Sequence, residues 1–266
     1  MNLSDLVRKV CELGYETNNA EARVCQDIIL RAISKSNLSR NVTIKGGVVM
    51  RSITNNVRRA TQDMDIDFIR YSLSDESIDN FIAKLNCLDD ITITRVGKIE
   101  ELNQQDYKGK RVHVHIKDVY NNVIESKIDL GVHKHVEIKQ EDYCFDIAFD
   151  DEGASLLINT KEQMFAEKLR SLLKFGIFNT RYKDIYDMYY QCGRMDTQKL
   201  IECLHVFIFD DVKMRENNLS DILKRLNSIF KNELYKKRVD KSDKRWLDTD
   251  IDDIFSEIIG YLNNLR

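Results

Sequence analysis

A chain of 266 residues, 42% hydrophobic and 32% charged, can bury a substantial core and has the balance of a globular protein of one two-lobed unit or two small domains. No apolar run approaches the ~20 residues that span a bilayer, and the start Met1-Asn2-Leu3-Ser4-Asp5 does not place a basic stretch before an apolar one, so neither a membrane span nor a signal peptide is expected. Six scattered cysteines, none in a CxxC pair, predict reduced thiols in a cytoplasmic protein and speak against a zinc site. The net charge of −3 decides nothing about partners, but residues 212–245 carry eleven Lys and Arg against five Asp and Glu. That segment is either a solvated helical face or a surface for a phosphate backbone.

In chain order, Leu6, Val10 and Leu13, then Val24, Ile28, Ile29, Ala32 and Ile33, recur at helical spacing and predict two helices over residues 3–35. Gly14 and Asn18-Asn19 separate them. A short apolar strand at residues 42–44 ends at Gly46-Gly47, residues 48–55 can form a helix, and residues 64–71 alternate as a strand. A helix over 75–88 is followed by β-type runs at 91–96, 111–119, 123–132 and 143–149. From about residue 153 the character becomes helical, over 161–174, 182–191, 196–209, 219–234 and 251–265. The pattern predicts an α+β protein, a mixed sheet over residues 1–152 and a helical domain over 153–266.

The segment with the most chemistry is Asp63-Met64-Asp65-Ile66-Asp67. On a strand, side chains alternate, so the three aspartates share one face while Met64, Ile66 and Phe68 share the other. Three like charges on one strand face repel, and bound divalent cations remove that repulsion. Mg²⁺ prefers carboxylate oxygens together with substrate phosphates, and two such ions can serve the attacking and leaving oxygens of an in-line displacement. Without a metal, the run is an acidic edge strand. Gly46-Gly47, after a strand and before a helix, is a turn at which backbone N–H groups can approach phosphate. His113 and His115, and His133 and His135, share strand faces, and exposed histidines are the commoner reading than metal ligands.

The order strand, Gly-Gly turn, short helix, Asp-x-Asp strand resembles the polymerase-β-like nucleotidyltransferases, and the resemblance implies a third carboxylate on a neighbouring strand, matched here by Asp129. A closer resemblance is to the AbiEii/AbiGii toxin family. Ile44-Lys45-Gly46-Gly47 through Arg59-Ala60-Thr61-Gln62-Asp63-Met64-Asp65 resembles its opening motif. Glu162-Gln163-Met164-Phe165-Ala166-Glu167-Lys168-Leu169-Arg170 and Arg181-Tyr182-Lys183-Asp184-Ile185-Tyr186-Asp187 resemble its two later segments. The spacer of fifteen residues between Gly47 and Asp63 is slightly long, Val48 stands where many members have Thr or Ser, and the last seventy or so residues match no motif.

The resemblance implies a polymerase-β-like nucleotidyltransferase core and transfer of a nucleotide from an NTP to RNA, for some members the 3′ end of tRNA, in toxin–antitoxin or abortive-infection systems. It implies Mg²⁺ or Mn²⁺ as cofactor and a cognate antitoxin as a possible partner. Asp63 and Asp65 are the favoured metal ligands, with Asp67 and Asp129 as further candidates. Asp63, Asp65, Asp129, Lys168 and Asp184 become catalytic candidates. Lys45, Gly46, Gly47, Arg59, Thr61, Lys168, Arg170 and Asp187 become substrate-binding candidates. The resemblance favours Lys168 as a contact to the NTP triphosphate, with a salt bridge to Asp184 or Asp187, neighbours at i, i+3, as the alternative, and Tyr182, Tyr186, Tyr189 and Tyr190 suit core packing better than base stacking. Transfer to a small molecule or protein, or a catalytically silent nucleotide-binding module, are the alternatives.

Overall fold

A computed structural model describes residues 1–102 and 109–265. The chain divides into two compact units, Met1–Asn159 and Thr160–Arg266.

The first unit contains α1 (Leu3–Glu12), α2 (Thr17–Lys35), β1 (Val42–Lys45), α3 (Gly46–Thr54), β2 (Met64–Phe68), α4 (Asp75–Lys84), β3 (Ile91–Leu102), β4 (Gly109–Asp118), β5 (Val123–Val132), β6 (Glu141–Ile147) and β7 (Asp150–Ile158). The strands form one mixed sheet in the order β3-β4-β5-β2-β1-β7-β6. β2 is antiparallel to β1 and parallel to β5, and β1 is parallel to β7. β3, β4 and β5 run as an antiparallel meander, and β6 and β7 pair as a hairpin.

Alternation decides which face of the central strands is dry. Met64, Ile66 and Phe68 are buried in the core, as are Ile128 and Leu130 on β5 and Val112, Val114 and Ile116 on β4. Phe68 meets Phe81 of α4 edge to face, with centroids 5.1 Å apart. Burying a side chain of this size contributes about 1.5–3 kcal/mol. α2 packs against β5, β6 and β7, and its residues Ile28 to Ile33 include five fully buried apolar side chains. Asp27, buried in α2, accepts from Arg51 of α3 at 3.3 Å and from the backbone N–H of Ala148 at 3.2 Å. Burial raises its pKa above the usual carboxylate value while Arg51 and Arg23 oppose the shift. The network ties α3 to α2 through a charge that is costly unless paired.

The second unit is helical: α5 (Lys161–Phe175), α6 (Tyr182–Gln191), α7 (Thr197–Leu204), a π-helical turn His205–Phe209, α8 (Leu219–Phe230), α9 (Glu233–Asp240) and α10 (Ile251–Asn263). Side chains of Thr160, Asp196, Asn218, Asn232 and Asp250 cap five helix N-termini, as short oxygen-bearing side chains do. Tyr186, Tyr235 and Trp246 are buried, and Phe230 stacks on Phe255 at 3.9 Å. The tyrosines of α6 therefore pack inward in part: the Tyr186 hydroxyl donates to the Val239 carbonyl at 3.0 Å, and Tyr190 lies 5.8 Å from Trp246.

The α+β arrangement expected from sequence is present, with two differences. β7 was not expected, and it crosses the expected boundary at residues 152 and 153. Asp150-Asp151-Glu152-Gly153 reads as a polar loop, yet Gly153 takes φ +67° and lets the strand pair with β6. The helix expected over 219–234 is two, broken at Lys231-Asn232, where Asn232 caps α9.

Candidate active site on the central strands

The register of the sheet builds the site. Asp65 of β2 stands opposite Asp129 of β5 and opposite Lys45 of β1. Asp67, two residues along, shares its face. Asp63 lies one residue before β2 begins, and its carboxylate is near enough to raise the pKa of Asp65. Burial first, then the charges of Asp129, Asp63 and Asp67 push the Asp65 carboxyl up to about 6, with Lys45 opposing.

Three cations answer this concentration of charge. Lys45 Nζ lies 2.8 Å from each oxygen of Asp67, in a pair that is almost fully buried. Arg111 of β4 grips Asp129 with both ends of its guanidinium, Nε to Oδ1 at 2.7 Å and Nη2 to Oδ2 at 2.8 Å. Those bonds raise the Arg111 pKa further. Lys127 Nζ lies 2.6 Å from Asp63 Oδ1. Arg111 and Lys127 carry no sequence motif. Only the alternation of β4 and β5 hinted that they share a face with Asp129, and the pairing register makes them neighbours of the cluster.

The two glycines are explained by what they touch. Gly46 has φ +64°, and a Cβ there would collide with Asp65 Oδ2. A Cβ on Gly47 would lie 2.5 Å from Thr61 Oγ1 and 2.7 Å from Thr61 Cβ. The Lys-Gly-Gly motif and the Thr-x-Asp-x-Asp motif are thus two sides of one close approach. α3 begins at Gly46, its preceding residue Lys45 makes no side-chain cap hydrogen bond, and a helix start of this kind favours an anion. Arg59 is buried in the short 3₁₀ turn Val57–Arg59 that leads to Thr61. Gln26 of α2, which sequence reasoning missed, donates from Nε2 to the carbonyls of Thr61 at 2.9 Å and Asp63 at 3.4 Å. It fixes the backbone that delivers Asp63.

The donor set fits a hard divalent cation in kind: carboxylate oxygens only, with burial and then the neighbouring charges raising the Asp65 pKa. Oδ1 of Asp63 and Oδ1 of Asp67 are buried, each facing a lysine nitrogen without accepting an aligned hydrogen bond. Among the described residues, however, no three His, Cys, Asp or Glu side chains converge on one point. The carboxylates are drawn toward Lys45, Arg111 and Lys127 instead. The histidine pairs lie elsewhere in hydrogen bonding: His113 and His115 face Glu125, His135 faces Glu137, and His133 is buried against Gln140.

In the second unit the two later motifs meet. Lys168 Nζ of α5 lies 2.7 Å from Asp184 and 3.0 Å from Asp187, both on α6. Asp187 is fully buried, so the lysine supplies charge it requires. Arg170 donates to Asp211 from Nε at 3.0 Å and Nη2 at 2.5 Å. The basic segment is partly structural. Arg245 bonds Asp240 and the carbonyls of Leu247 and Thr249, and Lys236 pairs with Asp252 at 2.5 Å, while Lys237 and Arg238 are exposed. No helix among the described residues is long and apolar enough to cross a membrane, and all six cysteines are free thiols.

A family model described as nucleotidyl transferase AbiEii toxin, type IV toxin–antitoxin system, matches residues 28–257. The match spans both units and includes Lys45, Gly46, Gly47, the four aspartates, Arg111, Lys127 and Lys168. No curated protein matches the chain.

Proposed function

Since the chain belongs to the AbiEii nucleotidyltransferase toxin family of type IV toxin–antitoxin systems, we propose that it moves a nucleotide from an NTP to an RNA acceptor, such as the 3′ end of a tRNA. The observation that carries this reading is the pairing of Asp65 with Asp129 on adjacent parallel strands, beside the uncapped N-terminus of α3. Asp65 and Asp129, with Asp63 or Asp67, would hold Mg²⁺ or Mn²⁺. When bound, such an ion supplies positive charge against the phosphate and acidifies the attacking hydroxyl.

The protein's own groups do the positioning. Backbone N–H groups at Gly46 and Gly47 meet the phosphates, at a turn where a side chain on either glycine would collide with Asp65 or Thr61. Lys45 holds Asp67 in place through an almost fully buried ion pair. Arg59 and Thr61 form the approach to the acidic strand, and Thr61 borders the glycine turn. Within the second unit, Asp184 and Asp187 hold Lys168, and Asp211 holds Arg170. Phosphoryl chemistry asks little more of a protein than such positioning and charge. The exposed cations of the basic segment, Lys237 and Arg238 among them, contact the RNA backbone. The family's type IV systems pair a toxin with an antitoxin, and a cognate antitoxin is proposed as the protein partner.

Incubation with each α-labelled NTP and total RNA, with and without Mg²⁺, tests the proposal. Metal-dependent label in a discrete RNA band supports it. Label only on protein or on a small molecule would replace RNA with a different acceptor.

A further inference from the structure

Arg111 and Lys127 have no assigned part in the chemistry, yet they hold two of the four carboxylates of the cluster. They differ from Lys45. The Lys45 side chain is 10% exposed and locked against Asp67, whereas Arg111 is 28% and Lys127 37% exposed, both open to solvent. A guanidinium lying across both oxygens of Asp129 and a divalent ion on the same carboxylate would repel each other, so only one can be held tightly. The same holds for Lys127 and an ion on Asp63.

The strand order then says where a released cation would act. The sheet runs β4-β5-β2-β1. Lys45 and the glycine turn flank Asp65 on the β1 side, and Arg111 and Lys127 flank it on the β5 and β4 side. An in-line displacement needs its leaving group and its attacking group on opposite sides of the phosphorus. With the triphosphate on the glycine turn, the β4–β5 side belongs to the acceptor. Lys127 also borders a cleft of about 280 Å³ that is lined by Asn18, Gln62 and His113 and by the carboxylates of Glu21 and Glu125. Amide and imidazole groups of this kind suit an unstacked nucleotide.

We propose that Arg111 and Lys127 are exchangeable counter-cations: they neutralise Asp129 and Asp63 until a divalent ion binds, then turn to the terminal phosphates of the acceptor RNA. The second half rests on the reading of the protein as an RNA-directed nucleotidyltransferase; the first half does not. The exchange routes metal binding and acceptor binding through the same two side chains.

The test uses the full chain and Mn²⁺ alone, followed by calorimetry, for wild type, Arg111→Gln and Lys127→Gln. Removing the competitor tightens Mn²⁺ binding about three- to tenfold, the span expected for a partly exposed charge-assisted bond. In the presence of metal, each variant binds a short single-stranded RNA more weakly, with a salt slope reduced by about 0.7, while affinity for a non-hydrolysable NTP analogue is unchanged. Lys127→Gln, at the more exposed position, keeps the test available if Arg111→Gln does not fold. Mn²⁺ binding that is unchanged or weaker in both folded variants overturns the exchange, because the cations would then be holding the carboxylates in place for metal. Tighter Mn²⁺ binding with unaltered RNA affinity, or weaker NTP binding instead, overturns the acceptor half. Tighter Mn²⁺ binding in a protein that transfers no nucleotide would leave the exchange standing and remove the proposed function.

Discussion

Gly46 and Asp65 approach so closely across the junction of β1, α3 and β2 that a methyl group on the glycine would occupy the space of the aspartate's Oδ2. Gly46→Ala therefore meets both a positive φ and a collision. Gly14→Ala is the control, because Gly14 also has positive φ but has open space around its missing Cβ. The control loses about 1–2 kcal/mol of backbone strain. Gly46→Ala loses more than the control and also displaces Asp65. Urea unfolding of both variants checks the order, and equal losses would contradict the contact.

The raised pKa of Asp65 gives a pH dependence with a definite sign. Its folded value of about 6 exceeds the ordinary aspartate value of 3.8, so the folded state binds the proton more tightly. Metal-free stability therefore loses a contribution as pH rises from about 4 to 6, and the penalty is fully present above the folded value. Asp65→Asn removes that penalty. The variant is more stable than wild type at pH 7 to 8 in a metal chelator, and the difference shrinks as pH falls through about 6 toward 4. Thermal melts across pH would show the opposite trend if Asp65 were stabilised as an anion.

Gln26→Leu keeps the volume of a buried side chain but removes the amide that serves Thr61 and Asp63. Loss of the donor costs about 1–3 kcal/mol, and the segment before β2 loses its anchor. Nucleotide transfer drops with it, even though Gln26 touches none of the four carboxylates in the hydrogen bonds described. A folded variant with full activity would show that the anchor is dispensable.

Lys168→Met leaves Asp187 buried without its lysine. Removing one partner of a buried pair costs about 3–5 kcal/mol. Adding Asp187→Asn restores much of that stability, since it removes the stranded charge. If Lys168 also serves the triphosphate, the double variant regains stability but keeps a raised KM for NTP. Recovery of both would confine Lys168 to a structural role.

The legible part of this protein lay in periodicity and spacing. The alternation in Asp63 to Asp67 put Asp65 and Asp67 on the face opposite Met64 and Ile66, as found. Asp129 came from the resemblance, which implies a third carboxylate on a neighbouring strand, since residues 123–132 alternate less cleanly; β5 does pair with β2. Arg111 and Lys127 stayed hidden because strand order and register are long-range facts. A one-residue slip of β4 would have turned Arg111 to the other face. Gln26 was hidden for a related reason: a polar residue within an apolar helix shows its purpose only when the backbone it serves is in place. Composition could not sort the cations of the basic segment: Arg245 and Lys236 bond nearby acids and carbonyls, while Lys237 and Arg238 are exposed.

The central claim is that the carboxylates gathered around Asp65 carry nucleotide transfer. Its most direct test is a gel assay of α-labelled NTP incorporation into RNA in Mg²⁺, comparing wild type with Asp65→Asn at equal folded concentration. Asp65→Asn keeps the shape of the side chain and relieves its charge, so the account predicts a protein at least as stable as wild type that leaves the RNA unlabelled. Labelling by the folded variant at the wild-type rate would contradict it.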